Sequence, residues 1–319
     1  MFRNVAVLGA GTMGHGLALV HALAGANVTV TDVQPETLAR AAGLIRAAFD
    51  VLVESGEVEA HAPHPLEHIR FVPTLAEAVS DADLVIEAVV ENADIKRALL
   101  AELDRLAPPE AVIASNTSNL DVFPLVPDRR LERTLIVHWY APPYIVDLVD
   151  IVGNPRTDPA LIERVRAYVA GMGKRPIVLN RFIPGYIANR LQAAWTREVL
   201  SLLEEGIAGP EEIDASIRHG LAGRMMLLGH VMKSDFGGLA LTQRLIANGS
   251  YRSPPPTDHY EILDRLIAEG RTGVLAGRGF FDYGGRPADE LLADRDRRLI
   301  ALKRAATEIV GSFPEPPAQ

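Results

Sequence analysis

The residues best suited to chemistry fall into separated groups. The first is Gly9-Ala10-Gly11-Thr12-Met13-Gly14, a G-x-G-x-x-G run, with Asp32 closing the next apolar run. Gly9 permits a tight turn out of a strand, Gly11 leaves room for a pyrophosphate to approach the backbone, and Gly14 lets a following helix pack closely on the strand. That helix start offers free N–H groups and a positive dipole end to an anion. Asp32 can accept hydrogen bonds from ribose hydroxyls and would repel a 2′-phosphate, so the group reads as a site for NAD rather than NADP. The second group is Ser115-Asn116-Thr117-Ser118, at the end of an apolar run. Ligands bind beyond the carboxyl ends of strands in open α/β sheets, although such residues also serve as caps and turn formers. The third is His138, within Leu135-Ile136-Val137-His138-Trp139-Tyr140, followed by Asp150. A histidine in a strand is commonly a packed core residue. An acid on a neighbouring strand changes that reading, because a carboxylate holding one ring nitrogen leaves the other as a base near neutral pH. The fourth is Asn189, early in a helix, which is either a surface amide or a group facing a cleft.

Elements of regular structure must position these groups. Asn4–Leu8, Val28–Thr31, Ile69–Val72, Asp83–Val89, Ala111–Ser115, Thr134–Trp139, Leu148–Val152 and Arg175–Leu179 read as strands. Helical spacing runs through Leu17–Ala24, Pro35–Ser55, Leu75–Val79 (capped by Thr74, with Glu77 three residues on), Asp94–Arg105 and Pro159–Met172. This alternation predicts an α/β fold with a Rossmann-like, doubly wound, mostly parallel sheet. From Pro184 the pattern is helical: Tyr186–Glu205, Pro210–His219, a Gly/Met-rich stretch, Leu239–Asn248, Asp258–Glu269 and Ala288–Val310. The expected domains are therefore 1–183, binding NAD, and 184–319, all-helical, with the active site between them. Residues from Phe313 onward read as frayed.

Composition narrows the function classes. With 319 residues, 48 % hydrophobic and 23 % charged, the chain has the length and balance of a two-domain soluble protein. A net charge of −9 argues against nucleic-acid and anionic-membrane partners. The chain has no cysteine, which removes disulfides, thiolate metal sites and a cysteine nucleophile; no metal is expected. The N-terminus enters a strand at once, leaving no room for a signal peptide, and no apolar run has membrane-spanning length. A cytoplasmic protein acting on a small molecule is the expectation.

Together these residues resemble the 3-hydroxyacyl-CoA dehydrogenase family over nearly the whole chain. The matching stretches are Gly9–Gly14, Asp32, the spacing of Glu91 and Lys96 in VVENADIK, SNTS at 115–118, HWYAPPYIVDLVD at 138–150, PGYIANRL at 184–191 and GRGFFDY at 277–283. The resemblance implies oxidation of a secondary alcohol at C3, with His138 as general base and Asp150 as its orienting acid. Ser118 and Asn189 would hydrogen-bond the reacting oxygen and the histidine. Thr12, Met13, Asp32, Glu91, Lys96 and Asn116 would contact NAD, and a homodimer formed through the helical domain is implied.

The chain departs from the family where Asp150 replaces a usual Glu and where Ala141-Pro142 replaces a usual Asn-Pro. CoA-using members tend to carry lysines in the 39–68 region, whereas residues 47–67 here have no Lys or Arg but include Asp50, Glu54, Glu57, Glu59 and Glu67. Pro142-Pro143-Tyr144-Ile145 and Gly220-x-x-Gly223-Arg224 resemble the L-gulonate 3-dehydrogenase and carnitine dehydrogenase branch, which oxidises free hydroxy acids. The expected substrate is therefore a small free 3-hydroxy acid, with Arg224 clamping its carboxylate. Three alternatives stay open: a 3-hydroxybutyryl-CoA dehydrogenase of fatty-acid metabolism, a dehydrogenase of an aromatic or heterocyclic alcohol stacked by Trp139 and Tyr140, and a non-catalytic, crystallin-like NAD-binding protein.

Overall fold

Short runs of Val, Ile and Leu become buried strands when helices cover both faces of a sheet. The computed structural model describes residues 1–59, 61–249 and 252–311. Its strands are β1 (Asn4–Leu8), β2 (Asn27–Thr31), β3 (Ile69–Phe71), β4 (Leu84–Glu87), β5 (Val112–Ser115), β6 (Thr134–Trp139), β7 (Leu148–Val152) and β8 (Arg175–Leu179). They form an eight-stranded sheet in the order β3-β2-β1-β4-β5-β6-β7-β8. All neighbours run parallel except β6 and β7. Strand order reverses between β1 and β4, the position at which a doubly wound sheet opens a crevice beyond its carboxyl ends.

The covering helices are α1 (Gly14–Leu23), α2 (Pro35–Glu54), α3 (Leu75–Val79), α4 (Ala93–Leu106) and α5 (Pro159–Ala170). Side-chain caps start three of them, α5 through Asp158 Oδ1, which accepts from the Ala160 N–H at 2.8 Å. Thr74 Oγ1 accepts from the Glu77 N–H at 3.3 Å, and Asn92 Oδ1 accepts from the Asp94 and Ile95 N–H groups, each satisfying donors that an α-helix leaves unpaired. One core joins Ala6, Leu8, Val85 and Ile113 of the sheet to Leu100 and Leu103 of α4. A smaller cluster of Val122, Ile136, Val152 and Tyr186 lies under the far strands.

Two compact units divide between Arg190 and Leu191. The second carries the rest of α6 (Ala188–Glu204), then α7 (Pro210–Ala215), α8 (Gly223–Gly237), α9 (Leu239–Asn248), α10 (Glu261–Ala268) and α11 (Ala288–Gly311). The helix expected over Pro210–His219 instead gives way to a π-turn over Ser216–Ala222 and then to α8, which is broken at Gly229 where φ is 68°. Glycine spacing at 220, 223, 229 and 237 weakens helical propensity enough to hide α8 from a periodicity reading. The expectation of fraying from Phe313 lies outside the described residues. Among the described residues, no helix is long and apolar enough to cross a membrane.

Candidate active site

The glycine turn is built from backbone. Gly9 has φ +93°, and a Cβ there would stand 2.6 Å from the Ala88 carbonyl oxygen. A Cβ on Gly14 would lie 1.7 Å from the Gly9 carbonyl oxygen, whereas one on Gly11 would meet nothing within 4 Å. Gly9 and Gly14 are thus required by the protein's own packing, and Gly11 leaves open space on the ligand side. Thr12 is exposed and Met13 half-buried at the start of α1. The helix carries no side-chain cap and no acid in its first turn, so its terminal N–H groups remain suited to an anion. Asp32 accepts from the Ala10 N–H at 2.7 Å and the Gln34 N–H at 2.8 Å. Each carboxylate oxygen has two lone pairs, so acceptor capacity for ribose hydroxyls remains. An open Gly11 face, an uncapped helix start and an acid beside the turn fit a dinucleotide.

Further along the same edge, side chains replace backbone. Lys96 on α4 is 1 % exposed, and its ammonium donates to Glu87 Oε1 at 2.6 Å and lies 3.3 Å from Glu91 Oε2. Glu87, fully buried at the end of β4, also accepts from Ser115 Oγ at 2.5 Å and from the Val89 N–H at 3.0 Å. Glu91 Oε1 accepts from the Thr117 hydroxyl at 2.6 Å and from the N–H groups of Ser118, Asn119 and Leu120 at 2.9, 2.9 and 3.2 Å. Burial pushes the Glu91 carboxyl up, but Thr117, Asn119, Lys96 and Ser118 together outweigh it and hold its pKa below the ordinary value. Glu91 therefore gathers the loop that carries Ser118. Lys96 is brought to Glu91 but not to the surface of the site. Asn116 Oδ1 accepts from the Trp139 N–H at 2.8 Å, tying this loop to β6.

The antiparallel pairing of β6 and β7 sets His138 directly opposite Asp150. Both are buried, and His138 Nδ1 lies 3.5 Å from Asp150 Oδ2. Among the described residues, neither His138 Nδ1 nor Asp150 Oδ1 has a hydrogen-bond partner. On the other side of the ring, His138 Nε2 lies 3.2 Å from Ser118 Oγ. Tyr140 donates to Asp150 Oδ2 at 2.6 Å. Beneath the histidine lies Tyr186, a fully buried residue with φ +47°, whose hydroxyl donates to the Thr117 carbonyl at 2.5 Å and whose ring centroid is 4.7 Å from that of His138. Asn189 is half-buried in the first turn of α6. The arrangement offers a histidine with one nitrogen toward a buried acid and the other toward a hydroxyl, which is the layout of a general base with an orienting partner.

One expectation is corrected. Trp139 does not face the site: strand alternation turns it away from His138 and Tyr140, leaving it 2 % exposed against His21, with ring centroids 5.6 Å apart. It packs the sheet and cannot stack a substrate ring. Tyr140, half-buried, keeps its ring edge to face with that of His138, and its hydroxyl is bonded to Asp150. Arg224, on α8, is exposed and donates to the Gly220 carbonyl one turn earlier. Sequence reading gave no role to Glu87 and Tyr186. Glu87 did carry a signal, because a charged residue inside the apolar run Leu84–Val89 is almost never buried unpaired.

Comparison with known proteins adds lineage to this geometry. Residues 4–182 match the 3-hydroxyacyl-CoA dehydrogenase NAD binding domain, and residues 185–283 match the corresponding C-terminal domain. An L-carnitine dehydrogenase of Nocardiopsis dassonvillei is 35 % identical, over 96 % of this chain and 92 % of that one. The crystal structure of 5-formyl-3-hydroxy-2-methylpyridine 4-carboxylic acid 5-dehydrogenase, described as an NAD+ dependent dismutase, is 29 % identical with a TM-score of 0.85, covering 96 % of this chain and 99 % of that one. That of the (S)-3-hydroxybutyryl-CoA dehydrogenase of Ralstonia eutropha is 27 % identical with a TM-score of 0.69, covering 89 % and 100 %.

Proposed function

Because the chain belongs to the 3-hydroxyacyl-CoA dehydrogenase family, an NAD-dependent oxidoreductase family, we propose that it oxidises the 3-hydroxyl of a small free 3-hydroxy acid to the ketone. Bound NAD supplies the hydride acceptor for this chemistry. The face left open at Gly11, the start of α1 and Asp32 bind it, with Thr12, Met13, Asn116 and Glu91 as further contacts. His138 Nε2 takes the hydroxyl proton as the C3 hydrogen leaves as hydride. Asp150 orients the ring and stabilises the imidazolium. Ser118 and Asn189 donate hydrogen bonds to the reacting oxygen as it becomes a carbonyl. In this reading residues 1–183 are the NAD-binding domain and 184–319 the helical one.

One observation carries the choice of a free acid. The stretch 47–67 presents Asp50, Glu54, Glu57, Glu59 and Glu67 at its surface and no lysine or arginine. CoA brings several phosphate charges that need cationic partners, and this face repels them. The higher TM-score to an enzyme named for a carboxylic acid than to one named for a CoA thioester supports the same reading. We assign the substrate carboxylate to Arg224, whose planar fork suits bidentate binding. The protein further works as a homodimer, a reading supported by exposed Val231, Phe236, Leu239, Leu245 and Ile246 on α8 and α9.

The test is a panel of NADH-formation assays with 3-hydroxybutyrate, L-carnitine, L-gulonate, a hydroxymethylpyridine carboxylate and 3-hydroxybutyryl-CoA. A free acid gives the highest kcat/KM, Arg224→Met raises its KM about tenfold or more, and CoA does not inhibit. A specificity constant for the thioester above those of all the acids overturns the proposal and directs attention to Arg40 and Arg46 on α2 as CoA contacts.

A further inference from the structure

Asp150 has no solvent exposure, and two groups compete for one of its oxygens. The Tyr140 hydroxyl donates to Oδ2 at 2.6 Å, while His138 Nδ1 stands 3.5 Å from that same atom. An O–H···O⁻ bond this short is charge-assisted and strong; a 3.5 Å separation lies beyond the ordinary N–H···O range. The acid is therefore anchored by the tyrosine and not by the histidine it faces. Local geometry explains why. Tyr140 follows His138 by two residues, so both side chains leave the same face of an extended segment, and their rings pack edge to face with centroids 4.5 Å apart. Burial, with the hydrogen bond and charge of Asp150, pushes the Tyr140 phenol far above its ordinary value. The hydroxyl thus stays protonated and remains a donor.

The surroundings leave this task to Tyr140. Ser118 approaches the other nitrogen of His138. The Tyr186 hydroxyl is committed to the Thr117 carbonyl, and burial, then the charges of Glu91 and Asp150, with smaller shares from Tyr140 and Asp121, push that phenol far above its ordinary value. On β8 the residue paired with Asp150 is the apolar Ile177. Among the described residues, no other group donates a hydrogen bond to the Asp150 side chain.

We propose that Tyr140 is a positioning residue for the histidine–acid pair: its hydroxyl holds the Asp150 carboxylate opposite His138 Nδ1 and shares its charge, and so sets how tightly the pair holds a proton. An aspartate carboxylate stops one methylene short of a glutamate's, and the tyrosine hydroxyl is what fixes it in place. The hydroxyl matters most when His138 is neutral, because Asp150 then carries an unneutralised charge away from water. Once His138 is protonated, the imidazolium itself neutralises that charge. Losing the hydroxyl therefore favours proton uptake by the pair.

The inference rests on His138 being the base, so the experiment separates the two. Full-length wild type, Tyr140→Phe, Asp150→Glu, the double variant and His138→Ala are compared. First, imidazole signals of isotopically labelled protein are followed by NMR against pH, with the His138 signal identified by its absence in His138→Ala. This needs no substrate. In Tyr140→Phe the His138 midpoint moves up by about one pH unit, a tenfold change in proton affinity. Second, with 3-hydroxybutyrate and 3-hydroxybutyryl-CoA, Tyr140→Phe lowers kcat by up to about tenfold on the acid side of the His138 midpoint, recovers at alkaline pH and leaves the KM for NAD unchanged, since proton affinity alone has altered. The double variant exceeds Asp150→Glu in turnover, because the longer acid reaches His138 once the hydroxyl is gone. An unmoved His138 midpoint in Tyr140→Phe overturns the proposal and leaves the base assignment standing. Full turnover in His138→Ala instead overturns the base assignment, and the NMR midpoint still decides for or against Tyr140.

Discussion

At the end of β1 the protein presents backbone: a glycine turn, the N–H groups of α1 and room left by missing side chains. At the ends of β4, β5, β6 and β7 it presents buried polar side chains: Glu87, Ser115, His138 and Asp150, each fixed by a partner from another element. The first region selects a ligand by what it omits, and its requirements are local. The second places charge by mutual pairing, and its requirements are met across strands. Substitutions should therefore fail differently in the two regions. In the turn, geometry alone decides the outcome; along the far strands, removing one partner strands another.

The sharpest break falls within the turn itself. Gly14→Ala drives a Cβ into the Gly9 carbonyl, so we expect it to lose more than about 4 kcal/mol of stability, the range of severe backbone conflicts, and to melt well below wild type. Gly11→Ala meets no protein atom. It should keep its melting temperature and lose NAD affinity by calorimetry; equal Tm losses in the two variants would mean that Gly11 serves packing and not the ligand.

Next comes the buried ion pair. Lys96→Met leaves Glu87 as an uncompensated charge away from water, which costs about 3–5 kcal/mol. Replacing both partners, as Glu87→Gln with Lys96→Met, should return much of that in urea unfolding, because the stranded charge is gone. A mild Lys96→Met with sharply weakened NAD binding would mark Lys96 as a direct cofactor contact instead.

Near neutral pH the smallest effect joins the two regions. His21 of α1 lies fully buried against Trp139, with Nδ1 2.9 Å from the Tyr168 hydroxyl, and burial lowers its pKa to about 3. The native ring stays neutral while the unfolded chain takes up a proton below pH 6.5. Above that pH the group has no effect on stability. From pH 6.5 down toward 3 it destabilises the fold by at most about 1.4 kcal/mol per pH unit. Urea melts of His21→Gln should lack this share of the acid slope; an unchanged slope would assign it to other groups.

Legibility in the sequence followed the same division. The strands β1, β6, β7 and β8 were readable to the residue, and Thr74 was readable as a cap, because apolar runs and cap spacing are local signals. G-x-G-x-x-G and Asp32 were readable for the same reason. Trp139 was misread because its neighbours in sequence, His138 and Tyr140, point to the opposite face, and the side that looks into the core is decided by the sheet. Helix α8 escaped because its glycines weaken the local signal that its context overrides.

What the sequence determined alone is the alternating architecture, the cofactor turn and the presence of a histidine and an acid in reach of neighbouring strands. The tertiary structure decided which atoms those groups meet. That Tyr140 and not His138 takes the Asp150 carboxylate, that Lys96 is enclosed by Glu87 and Glu91, and that Tyr186 supports His138 from beneath all depend on contacts between residues distant in the chain. Hydrogen bonds form over about 3 Å, and no pattern along one strand encodes a separation that the pairing of several strands sets.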